Sequence, residues 1–277
     1  MPWIDLLGND IHYTDTGSGD PVVLVHGSGS AAACWEPIIE ALAGRFRVLA
    51  YDSYDHGYSS NSPRGDGPMA DRASELEAFI DQLRLERPII FGQSMGGMTT
   101  LRWAIRHPDE ARLLVVTGMG WPLLPIEGEI MSSLDSEERI WLGVGTSFTP
   151  DWIAANPLEH ARYIRVRSTG AAIEAARYPR QALRSHADFV TDDPDVRARV
   201  ESGLRRVSSP VLLFAGSLED PSIMHGVQNT HQLIAHSRLV IADGAAHNAY
   251  YQCRELLLQS VDQLLNESTV RIPHSYG

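Results

Sequence analysis

The chain has 277 residues, 43% of them hydrophobic and 21% charged, with a formal net charge of −12; that length suits one large α/β domain with an insertion and is short for two ordinary domains. The negative balance opposes binding to nucleic acid or to anionic lipid, and no stretch approaches the roughly 18 uninterrupted apolar residues of a membrane span. Met1-Pro2-Trp3-Ile4-Asp5 lacks the basic patch and apolar core of a secretory signal, and Cys34 and Cys253 read as free thiols, so the expected setting is the cytoplasm.

The first predicted strand, Ile11-His12-Tyr13-Thr14, alternates; the turn Gly17-Ser18-Gly19-Asp20 follows, then the apolar run Pro21-Val22-Val23-Leu24-Val25, in the style of a hairpin. Continuous apolar runs mark strands buried on both faces. Val48-Leu49-Ala50-Tyr51, Pro88-Ile89-Ile90-Phe91, Leu113-Leu114-Val115-Val116, Val211-Leu212-Leu213-Phe214-Ala215 and Leu239-Val240-Ile241 repeat the pattern, with helix-period segments at 73–83 and 98–105 between them. Such alternation implies a mainly parallel central sheet flanked by helices on both faces.

From Trp121 to Arg206 the alternation fails, and the sequence is rich in helix formers broken by Pro122, Pro125, Pro150, Pro157, Pro179 and Pro194. A segment this long is not one structureless loop, so it is predicted to be a helical cap inserted after the sixth strand, which ends near Thr117. The core domain then comprises residues 1–120 and 207–277, and the cap 121–206. Trp141, Phe148, Trp152 and Tyr163 either line the substrate side of the cap, with Trp141 and Trp152 as candidate substrate-binding residues, or simply pack the cap onto the main domain. The tail, 269–277, is expected to be poorly ordered.

Gly92-Gln93-Ser94-Met95-Gly96 fits G-x-S-x-G at a junction of buried strand and helix. A serine there sits on a sharp turn that needs small flanking residues, and the following helix aims free N–H groups and its positive dipole end at the same spot. Such a serine needs a base and a group to orient that base. Gly244-Ala245-Ala246-His247 follows the last strand and carries His247 to the same sheet edge, in a setting that none of His107, His186, His225, His231 or His236 shares. The orienting carboxylate belongs on Gly216-Ser217-Leu218-Glu219-Asp220-Pro221, where Asp220 is favoured by residue type and Glu219 by spacing. Both stay open. An oxyanion hole needs two backbone N–H groups; Met95 would supply one, and Ser28, in His26-Gly27-Ser28-Gly29-Ser30, the other. His26 would brace that loop.

With these motifs, together with Asp52-Ser53-Tyr54-Asp55-His56-Gly57-Tyr58-Ser59, the chain resembles the α/β-hydrolase superfamily over nearly all its length except the cap. The resemblance implies that fold and serine-based acyl chemistry. The family's usual D-x-R-G-H-G-x-S is altered here, Tyr54 and Asp55 standing for arginine and glycine, which reshapes the loop beside the oxyanion hole. His26 through Ser30 followed by Ala33-Cys34-Trp35 is also similar to carbon–carbon hydrolases of aromatic degradation, although those carry a tryptophan where Asn248 follows His247. Haloalkane dehalogenases use an aspartate where Ser94 stands, and proline aminopeptidases a tryptophan beside the serine. The leading expectation is a serine esterase or lactonase acting on a small-molecule substrate, without metal or organic cofactor, as a monomer or homodimer. The alternatives are a carbon–carbon hydrolase of a vinylogous diketone, and a small-molecule receptor with vestigial activity.

Overall fold

Alternating side chains on buried strands decide the architecture. The computed structural model describes residues 2–60, 72–123, 147–177, 191 and 193–270. Its strands are β1 Trp3–Leu6, β2 Asn9–Gly17, β3 Pro21–Val25, β4 Arg47–Tyr51, β5 Ile89–Gln93, β6 Leu113–Thr117, β7 Val211–Gly216 and β8 Ser237–Ala242. They form one eight-stranded sheet in the order β1-β2-β4-β3-β5-β6-β7-β8. β1 and β2, and β2 and β4, pair antiparallel; all other neighbours are parallel.

The helices are α1 Glu36–Leu42, α2 Arg72–Gln82, α3 Met95–Arg106, α4 Pro150–Ala155, α5 Pro157–Arg177, α6 Pro194–Arg206, α7 Pro221–Leu233, α8 Ala249–Gln252 and α9 Arg254–Val270, with a short 3-10 turn, Ala32–Trp35, before α1. The period of two along each strand splits the core into two layers. Val23, Val25, Ile90, Leu114, Val116 and Leu213 face one layer with Leu76 and Phe79 of α2 and Leu101 and Trp103 of α3. Val22, Leu24, Ile89, Phe91, Val115 and Phe214 face the other, with Trp35, with Ile38 and Leu42 of α1, and with Leu257 and Val261 of α9. Among the described residues no helix is long and apolar enough to cross a membrane.

One sequence expectation changes. The hairpin expected of residues 11–25 does not form: β2 pairs with β1 and β4, while β3, apolar on both faces, takes a central place between β4 and β5. In the segment read as a cap, α4, α5 and α6 follow β6 in the chain, but α6 packs into the main core. Its Leu204 is fully buried in the layer of α2 and α3, and a side chain on Gly203 would meet Ile105 of α3 at 2.4 Å. Trp141, the rest of 124–146 and the chain end beyond 270 lie outside the described residues.

Candidate active site

The parallel strands β3, β5 and β7 end at the same edge of the sheet, and each hands over to a loop that carries a candidate site residue. Ser94 follows β5 directly with φ 53° and ψ −115°, a left-handed backbone uncommon for any residue but glycine. Its N–H still donates to Thr117 of β6 at 2.8 Å, and its carbonyl accepts from Met98 at 3.1 Å, so one residue bridges the ladder and the helix. Its hydroxyl does not cap α3. α3 starts hard against the end of β3, because a Cβ on Gly96 would lie 2.1 Å from the carbonyl oxygen of Val25. Only glycine permits that approach.

After β7 the two candidate carboxylates separate. Glu219 places both carboxylate oxygens 3.0 Å from His247 Nδ1, with its side chain 3% exposed. Asp220 is exposed and serves α7 as its N-cap, accepting from the backbone N–H of Ser222 at 2.8 Å and from its hydroxyl at 2.5 Å. Those Ser222 hydrogen bonds, hydroxyl foremost, hold the Asp220 carboxyl below its ordinary value. Named first from residue type, Asp220 is thus committed to the helix end, while Glu219, at the favoured spacing, meets the imidazole. Because a carboxylate only accepts, Nδ1 of His247 carries the hydrogen and Nε2 is left as the acceptor.

The His247 loop is tied on both sides. Ala246 donates to Gln252 Oε1 at 2.9 Å, Asn248 N donates to the Ser147 carbonyl at 2.9 Å, and Gln93 Nε2, beside Ser94, reaches Asn248 Oδ1 at 3.2 Å. Gly118, with φ +67°, lies against the imidazole: a Cβ there would sit 2.9 Å from the His247 carbonyl oxygen and 3.3 Å from ring carbon Cε1.

The loop after β3 rests on a buried polar layer. His26 donates from Nδ1 to the Gly27 carbonyl at 2.7 Å and accepts at Nε2 from Ser53 N–H at 3.0 Å. Burial above all, only partly offset by the Asp52 charge, pushes its pKa down to about 4, so it is a neutral brace. Burial alone would raise the Asp52 carboxyl, yet hydrogen bonds, His12 first, hold it below the ordinary value; it accepts from His12 Nδ1, Ala32 N and Tyr58 N at 2.7–3.0 Å. The two departures in this stretch both have structural consequences. Tyr54 is buried, donating from its hydroxyl to the Leu6 carbonyl and from its N–H to Glu75 Oε1, and Asp55 adopts φ 64°, where glycine would be unstrained.

A model of the alpha/beta hydrolase family matches residues 22–259. The chain belongs to the alpha/beta hydrolase family. Curated relatives of this alpha/beta hydrolase include haloalkane dehalogenase 2 of Mycobacterium tuberculosis, 37% identical over 120 residues, covering 43% of this chain and 41% of that protein. Another is the 2-hydroxy-6-oxo-2,4-heptadienoate hydrolase of Pseudomonas putida, 35% identical over 114 residues, covering 40% of this chain and 41% of that protein. RutD of Azorhizobium caulinodans is 29% identical over 168 residues, covering 56% of this chain and 61% of that protein. The chain thus spans about 40 to 60% of the length of these relatives. The enol-lactonase of Burkholderia xenovorans LB400 shares the fold, with a TM-score of 0.77 and 21% identity over 96% of this chain and 100% of that one.

Of the residues singled out from sequence, the structure brings Glu219 onto His247 and sets Ser94 and Met95 at the strand–helix junction of the same sheet edge. Trp152 packs against other aromatic rings. Its ring stacks on Phe148 at 4.7 Å and meets Tyr251 edge-on at 6.0 Å, and Phe148 also meets Tyr163. These rings pack around Tyr251 of α8. Trp152 also borders an open groove of about 630 Å³ with Glu159, Asp243, Tyr251 and Arg254, whose lining includes neither Ser94 nor His247. Cys34 and Cys253 are free thiols. Sequence reading passed over Gln93, Gly118 and Arg167 of α5, whose Nη1 donates to the Ser28 carbonyl at 3.0 Å. Adjacency to Ser94 was the available signal for Gln93; an arginine in a helical segment gives none.

Proposed function

We propose that this alpha/beta hydrolase is a serine hydrolase of small to medium carboxylic esters or lactones, working through an acyl-enzyme. The observation that carries the reading is the enclosed Glu219 carboxylate bridging His247 Nδ1 with both oxygens, beside a serine on a strained strand–helix turn. The Ser94 hydroxyl attacks the ester carbonyl while His247 Nε2 takes its proton; Glu219 holds the tautomer and stabilises the imidazolium. Met95 N–H, the first of α3 and without an intrahelical acceptor, and Ser28 N–H face the developing oxyanion. The imidazolium returns its proton to the leaving alcohol, and a water deprotonated by His247 then releases the acid and restores Ser94. Ser94 also supports this chemistry over dehalogenation, which in the related dehalogenases depends on an aspartate nucleophile.

Release of nitrophenol from a series of nitrophenyl acyl esters tests it. Turnover by the native chain should disappear in Ser94→Ala, and its chain-length profile sizes the pocket. A native chain without activity overturns the ester reading. A second reading, carbon–carbon cleavage of a dienone acid, is favoured by the 35% identity to the Pseudomonas putida enzyme; bleaching of such a coloured substrate in a Ser94-dependent manner would select it.

A further inference from the structure

We propose that Arg167 is a positioning residue of the oxyanion loop, a clamp by which helix α5 fixes the peptide at Ser28; the inference rests on the role given to Ser28 above. The loop is held at its two ends by the main domain. At its start, His26 is fixed by Ser53 N–H; at its end, Ser30 Oγ donates to Cys34 Sγ at 2.6 Å and Ala32 N–H reaches Asp52 at 2.7 Å. Between these anchors stands Ser28 flanked by two glycines, and glycines restrict φ and ψ least of all residues.

Arg167 reaches this stretch from α5. It is 9% exposed, its Nη1 donates to the Ser28 carbonyl at 3.0 Å, and Nη2 lies 3.5 Å from where a Cβ on Gly29 would stand. Gly29 itself has φ +61°. The Ser28 N–H, the proposed oxyanion donor, lies in the preceding peptide plane, whose Gly27 carbonyl accepts from His26 Nδ1 at 2.7 Å; Arg167 holds the following plane, so the two planes that meet at the Ser28 Cα are pinned together and the rotations that aim the N–H are restricted. The bond is charge-assisted and partly buried, which strengthens it. Five residues earlier, Arg162 ties the same helix to Glu36 and Glu40 of α1, so α5 is fastened across the start of the core at an outer and an inner point. The inner one bears on the chemistry.

The experiment compares the full chain with Arg167→Met, Arg167→Lys and Arg162→Met by hydrogen–deuterium exchange of residues 26–31 and by kinetics on neutral and carboxylate-bearing nitrophenyl esters. Arg167→Met should speed exchange of the loop amides and lower kcat roughly ten- to hundredfold, somewhat less than deletion of an oxyanion donor, with KM within about twofold. Arg167→Lys and added guanidinium should restore part of kcat, and Arg162→Met should match the native chain in both readouts. Unchanged loop exchange or unchanged kcat overturns the clamp. So does a loss confined to KM for the carboxylate-bearing ester, which would make Arg167 a substrate contact. If the native chain shows no Ser94-dependent turnover, the ester reading falls, and loop exchange alone then decides the clamp: faster in Arg167→Met supports it, unchanged overturns it. Should Arg167→Met fail to fold, Arg167→Lys, with fewer donors on the same charge, carries both measurements: faster loop exchange with a smaller loss of kcat supports the clamp, and no change in either overturns it.

Discussion

Two adjacent acids on one loop do different work. Glu219 faces inward to His247 and is almost enclosed, whereas Asp220 faces out and caps α7. Glu219→Gln, which keeps the shape but lets the amide impose the wrong imidazole tautomer, should therefore lower kcat by roughly 10³ to 10⁴-fold. Asp220→Ala should leave kcat within a fewfold and cost about 1 kcal/mol through the lost N-cap. Steady-state kinetics and urea unfolding of the pair check this; equal, mild effects on kcat would exclude Glu219 as the orienting group. Sequence could bring both acids to the right turn but could not choose between them. The choice depends on a turn geometry, Glu219 N–H bonding back to the Gly216 carbonyl at 3.3 Å, that neither residue type nor adjacency encodes. Ser94 and His247 were legible because each is announced by neighbours, glycines around the serine and a short small-residue loop after a strand. Arg167 was not, because its partner lies 139 positions away.

Among elements, the apolar runs were readable as strands because burial on both faces leaves few polar residues in them; β1, with Trp3 53% exposed, carries no such run and was missed. The pairing of β2 was misread for a related reason: a tight turn joins β2 to β3 in sequence, but β4 claims the place between them in space. Helix α6 falls in the segment read as a cap because prolines punctuate all of it, while its Leu204 and the close approach at Gly203 pack against the main core. Gly203→Ala should overpack that approach against Ile105 and destabilise the fold by about 1–3 kcal/mol, with KM and kcat of the surviving folded protein near native. A chemical denaturation curve measures the loss, and an unchanged midpoint would show that the α3–α6 contact yields freely. The rings of Phe148, Trp152 and Tyr163 teach the same lesson, since aromatic content in an insertion signals a packing surface or a pocket wall equally well.

For the molecule as a whole, His26 couples stability to acidity. Its folded pKa is depressed to about 4 from 6.5, so the unfolded chain takes up the proton first. The contribution of the neutral ring is fully present above pH 6.5, declines below it, and is exhausted once the pH falls through about 4, a loss of about 3 kcal/mol. Native unfolding free energy measured by urea should fall across that window, and His26→Gln, which keeps a donor and an acceptor without a titrating ring, should show a shallower slope; identical slopes would remove His26 as the cause. The sheet order has a temporal consequence as well. Strand β3, which delivers the proposed oxyanion loop, is hemmed in by β4 and β5, and contacts at the sheet edge join positions as far apart as Gln93 and Asn248. Non-local closure of this kind is slow, so helices and local sheet should form before Ser94, Glu219 and His247 come to one edge. On the proposed reading, Ser94-dependent turnover should therefore return later in refolding than the far-ultraviolet circular dichroism of the helices, and it should be absent from a nascent chain that has not yet released β7 and the His247 loop.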